Sequence, residues 1–133
     1  MKIKEVSERT GLTKKTIRYY EAEGLLSPEK QWQNGREYRN YSEADIQRLT
    51  KIAALRRARF SVEEIRHIHE VPGDIPEIFQ SYRRRLQQEQ VDLSAILAVI
   101  NNITSETLTS EDTLISQMKP ATVGLPLPAV DLN

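Results

Sequence analysis

TIRYYEAEGLL, residues 16–26, sets two tyrosines side by side behind an arginine and closes on a glycine. Successive helical residues point about 100° apart, so Tyr19 and Tyr20 cannot face the same core. Ile17 and Tyr20, three apart, share one face, and Arg18 and Tyr19 lie off it. Thr13 stands where an N-cap belongs, and Gly24 ends the segment. Upstream, Lys2 to Thr10 carries Ile3 and Val6 at helical spacing and stops at Gly11. Two short helices joined by T-G-L-T (10–13) form a helix-turn-helix pattern. Many helical hairpins share that pattern, so the residues it displays must decide its use.

Working outward, Pro28 stops helix, and Asn34-Gly35 between Trp32 and Tyr38 is a strong hairpin signal. A two-stranded wing is expected there. Ser42 with Asp45, and Ser61 with Glu64, read as capping boxes for two further helices. The first buries Ile46, Leu49, Ile52, Ala53 and Leu55, and the second Val62, Ile65 and Ile68. Pro72-Gly73 closes this block, and a fresh helix opens at Asp74-Ile75-Pro76-Glu77.

From there the pattern turns heptad-like. Phe79, Leu86, Leu93 and Ile100 fall seven apart, as do Tyr82, Glu89, Ile96 and Ile103, with Glu89 the polar exception. Such a helix runs roughly 40 Å at 1.5 Å per residue. A small N-terminal domain does not cover that stripe; a second copy of the same helix does. The expected dimerisation residues are therefore Phe79, Tyr82, Leu86, Leu93, Ile96, Ile100 and Ile103. Ser110 to Met118 reads as a short helix, and Pro120 to Asn133, with three prolines, as a mobile or strapped tail. The expected division is 1–72 for the helix-turn-helix domain, 74–104 for the dimerisation helix and 105–133 for a short helix and tail.

Charge is divided along the chain although the total is zero. Residues 1–70 hold fifteen Lys and Arg against eleven acids, a net +4; residues 71–133 hold four against eight, a net −4. With no cysteine, disulfides and thiolate metal sites are excluded, and no metal or redox cofactor is expected. No run of about 18 apolar residues spans a membrane, and no signal core opens the chain, so a cytoplasmic protein is expected. His67 and His69 diverge on a helix, and no phosphate-binding glycine loop or nucleophile elbow appears, so catalysis is not expected.

Nucleic acid fits better. The second helix of a helix-turn-helix enters the major groove with its N-terminal residues leading. Here those are Thr13, Lys14, Lys15, Thr16 and Arg18, two hydroxyls and three cations suited to phosphate and guanine. Tyr19 is expected to turn outward with its hydroxyl available to a phosphate.

R-Y-Y-E-x-x-G-L-L (18–26), Y-R-x-Y (38–41), S-E-x-D-I-x-R-L (42–49) and F-S-x-E-E-I (60–65) together resemble the MerR family of bacterial transcription regulators. The resemblance covers residues 1–70; the heptad helix is similar in kind to the family's antiparallel dimerisation helix. It implies a mainly α protein, a winged helix-turn-helix domain followed by a long dimerising helix. A homodimer of this kind binds promoter DNA, distorts it, works on RNA polymerase and answers to an effector, which the sequence does not name. The resemblance places Lys14, Lys15, Arg18 and Tyr19 on the recognition helix against DNA, with Tyr38 and Arg39 on the wing; Arg36, beside them, is a further candidate for DNA contact. Glu37 and Arg59 depart from it, each standing where the family commonly has glycine. The competing expectations are an effector-independent architectural or excisionase-like DNA-binding protein and a coiled-coil protein-interaction adaptor.

Overall fold

Hydroxyl side chains start four of the helices. Thr13 accepts from the Thr16 N–H, Ser42 from Asp45, Ser61 from Glu64 and Ser110 from Thr113. At Ser42 and Ser61 the carboxylate three residues on bonds back to the cap N–H, at 2.9 and 2.7 Å, completing both capping boxes. The structure, a computed structural model, describes residues 1–128. The order is α1 (Ile3–Thr10), α2 (Lys14–Ala22), β1 (Glu29–Gln33), β2 (Arg36–Asn40), α3 (Glu43–Arg57), α4 (Val62–Glu70), α5 (Ile75–Ile100) and α6 (Glu111–Thr122). Short 3₁₀ turns occupy Pro72–Asp74 and Ser105–Thr107. Contacts divide the chain between Ile78 and Phe79, so the first turn of α5 belongs with the N-terminal unit.

In that unit, Val6, Ile17, Tyr20, Leu25, Leu26, Tyr41, Leu49, Ile52 and Ile65 form one buried cluster. Every helix of the unit before α5 contributes to it, which fixes α1 and α2 as a helix-turn-helix. β1 and β2 pair antiparallel, Gln33 opposite Arg36, leaving Asn34-Gly35 as a two-residue turn. Both turn residues have positive φ, 52° and 76°, the primed turn whose twist suits a hairpin.

Two helices end alike. After α2, Leu25 N–H reaches Tyr20 O and Gly24 N–H reaches Glu21 O; after α3, Phe60 N–H reaches Leu55 O and Arg59 N–H reaches Arg56 O. These are Schellman closures, which need a left-handed residue; Gly24 supplies it at φ 75° and Arg59 at φ 76°.

Two expectations from sequence are corrected beyond Phe79. Ile103 does not lie on the long helix: α5 stops at Ile100, and Asn102 and Ile103 close it with tighter i→i+3 bonds. Asn102 Nδ2 also donates to Ala98 O at 3.1 Å, taking up a carbonyl that continued helix would have used. The terminal helix does not stop at Met118 but continues through Pro120 to Thr122. Proline there removes one bond in the last turn while its fixed φ remains helical, and Ala121 behind it is buried. The part of the expected mobile tail at 129–133 lies outside the described residues.

Candidate nucleic-acid interface

The recognition helix is oriented from its C-terminal end by arginines of the two helices behind it. Arg66 of α4 donates to Glu23 O from Nε and Nη2, at 3.0 and 2.5 Å, and Nη2 also reaches Glu23 Oε2 at 3.2 Å. Arg48 of α3 donates from Nε to Leu25 O at 2.9 Å. Cations at a helix C-terminus meet its last carbonyls and the negative end of its dipole. Neither arginine's role showed in the sequence, although Arg48 lies in the quoted S-E-x-D-I-x-R-L stretch, because a long-range side chain to backbone bond has no local pattern. Arg9 of α1 adds a fork onto Glu43 of α3, at 2.5 and 2.9 Å. That pairing holds the Glu43 carboxyl below its usual range, chiefly through the hydrogen bond to Arg9.

With Ile17 and Tyr20 buried, Lys14, Lys15 and Arg18 are exposed, and among the described residues none of the three has an ion pair. Thr13 and Thr16 are joined, Thr13 Oγ1 donating to Thr16 Oγ1 at 2.9 Å while it caps the helix. Tyr19 is only half-exposed: its ring packs beside the core, tilted 48° to Tyr20 with centroids 5.8 Å apart.

On the wing, Arg36 is exposed and Tyr38 half-buried, with Lys2 Nζ 4.9 Å above the Tyr38 ring. Arg39 lies between two carboxylates, Nε bonded to Glu21 of α2 and Nη1 to Glu37 of its own strand. The bond to Glu21, more than that to Glu37, holds the guanidinium above its ordinary pKa. Glu37 is thus turned onto Arg39. Between α1, α2 and the wing runs an open groove of ≈ 980 Å³, with Arg18 and Arg39 both in its walls.

In the second unit, the heptad positions Phe79, Leu93 and Ile100 are exposed at 48%, 59% and 44%, and Tyr82, Leu86 and Ile96 are half-buried. Val91 and Leu97, outside the heptad reading, are also exposed. His67 Nε2 lies 2.7 Å from Asp74 Oδ2, joining α4 to the turn before α5.

A helix-turn-helix with a hairpin wing and a cation-rich second helix defines a winged-helix DNA-binding regulator. The comparisons agree. Residues 1–70 match the MerR HTH family regulatory protein. The chain is similar to the HTH-type transcriptional regulator HmrR of Rhizobium leguminosarum bv. viciae, 47% identical over 68 residues, 51% of this chain and 50% of HmrR. It is also similar to the regulator CueR of Salmonella typhi, 31% identical over 116 residues, 87% of this chain and 78% of CueR. The match to HmrR thus spans half of that relative's length. The crystal structure of the transcription regulator PbrR691 from Ralstonia metallidurans CH34, in complex with lead(II), shares the fold. The TM-score is 0.63 at 24% identity, covering 77% of this chain and 83% of that one. The chain belongs to the MerR HTH family and is a DNA-binding transcription regulator of that type.

This corrects one expectation. From the missing cysteines no metal cofactor is expected, yet the same fold holds lead(II) in PbrR691. Lack of cysteine excludes thiolate ligands and nothing wider. The described residues do not offer a thiolate-type site, and no three His, Asp or Glu side chains among them gather closely enough to hold an ion.

Proposed function

We propose that this chain acts as a homodimer on a pseudo-palindromic promoter, distorting the duplex between two half-sites and so controlling RNA polymerase. The carrying observation is α2: its apolar face is buried while Lys14, Lys15 and Arg18 are exposed at its leading end. Lys14 and Lys15 meet phosphates, Arg18 reads a base edge, and Thr13, Thr16 and Tyr19 complete the contact. Arg36 and Tyr38 bring the wing to the flanking backbone. The exposed stripe from Phe79 to Ile100 supports a dimer and speaks against the architectural or excisionase-like alternative that binds as repeats. The domain division follows from this reading: 1–72 binds DNA, 74–104 dimerises and 105–133 completes the C-terminal part. Such a protein is not an enzyme and works in the cytoplasm, with the chromosome. A metal bound by this chain would have to use nitrogen or oxygen ligands, and no such set is gathered among the described residues of one copy, so the effector stays unassigned.

Footprinting on the promoter beside the chain's own coding sequence tests this, wild type against Arg18→Ala. The variant is expected to fold normally and lose about 1–3 kcal/mol of specific binding. Unaltered affinity in a folded variant means that α2 is not the reading helix.

A further inference from the structure

The groove beside the recognition helix carries more positive charge than α2 accounts for. Its walls hold five cations, Lys2, Lys4, Arg18, Lys30 and Arg39, against two carboxylates, Glu21 and Glu37. Both carboxylates are bonded to one guanidinium, that of Arg39. Lys30 Nζ reaches Glu37 only at 4.0 Å. Lys2 lies over the Tyr38 ring, an aromatic face that does not cancel its charge. Lys4 is exposed and has no ion pair among the described residues. Lys2 also stands at the N-cap of α1 without a side-chain cap bond, so that end of the helix adds its own positive pole.

We propose that Lys2 and Lys4 form a second grip on the DNA backbone, and that Arg39 is a strut rather than a phosphate contact. Its guanidinium spends its charge tying β2 to α2, which holds the wing at a fixed distance from the recognition helix. The duplex is the occupant because Arg18 lines the same groove. DNA read by α2 carries its phosphates past the start of α1, where the lysine charge is uncompensated. This rests on the DNA-binding reading above.

Each neutralised phosphate contributes about 0.9 to the slope of log K against log salt, whatever the sequence, so a labelled duplex of mixed sequence serves as probe. Wild type, Lys2→Gln/Lys4→Gln and Arg39→Gln are titrated with it across a potassium chloride series. The double lysine variant is expected to lose about 1.8 of slope per protomer. Arg39→Gln is expected to weaken binding at every salt concentration with its slope unchanged. Lys2→Arg/Lys4→Arg, which keeps the charge, is expected to restore the wild-type slope, and circular dichroism checks that all variants fold. The inference is overturned if the lysine variant keeps the wild-type slope, or if Arg39→Gln loses about 0.9 per protomer. Wild type that binds the duplex without any salt dependence overturns the DNA-binding reading itself, a different result from either.

Discussion

At the scale of single residues, the two Schellman closures offer a controlled comparison. Gly24 and Arg59 adopt nearly the same left-handed φ and serve the same hydrogen bonds, yet only one lacks a Cβ. For a residue with a side chain, that conformation costs roughly 1–2 kcal/mol, and glycine returns part of this through the greater freedom of its unfolded chain. Arg59→Gly is therefore expected to stabilise the N-terminal unit by about 0.5–1 kcal/mol, read as a raised thermal midpoint. A lowered midpoint would show that the arginine side chain contributes more than its backbone costs. Position 59 was legible as unusual from sequence alone, since F-S-x-E-E-I resembles a pattern with glycine before the phenylalanine. Arg48 and Arg66 were not: their carbonyl partners lie 23 and 43 residues away.

Among the elements, the wing and the long helix differ in what their sequences disclose. Asn34-Gly35 announced its turn because only a primed turn joins two strands through two residues that both tolerate positive φ. Gly35→Val puts a β-branched side chain at φ 76°, strained whatever the space around it. It is expected to unpair the hairpin while sparing the core, since both residues of the turn are exposed. The check is amide exchange: faster exchange confined to residues 29–40 supports it, and a hairpin as protected as before refutes it. The capping boxes at Ser42 and Ser61 were equally readable, being local. The end of the long helix was not. Heptad spacing carries on to Ile103, but Asn101-Asn102 closes the helix before it, and periodicity is blind to a terminating turn. The groove lysines escaped for a related reason: Lys2 stands at the N-cap of α1 and Lys4 in its first turn, far in sequence from the Tyr38 ring over which Lys2 lies.

For the whole molecule, the charge division follows the proposed division of labour, with the basic half on DNA and the acidic half turned to itself. On the proposed function, two DNA-binding units held by one dimer engage two half-sites with a single loss of translational freedom, so the second contact is intramolecular. Leu93 tests that linkage. It lies in the second unit, is 59% exposed and takes no part in the N-terminal core, so Leu93→Glu leaves the first unit intact. In a dimer seam the same change buries an unpaired carboxylate, a cost of several kcal/mol. Sedimentation is expected to show monomers, with the thermal transition of the N-terminal unit preserved. The monomer then meets one half-site, so its affinity for the full operator falls by about 100-fold or more, and the slope of log K against log salt halves with the phosphate contacts. Two separate results would count against this. A dimer that survives Leu93→Glu means that the stripe faces elsewhere. A monomer that binds the full operator as tightly as wild type means that dimerisation and operator recognition are uncoupled, and that the long helix serves some other contact.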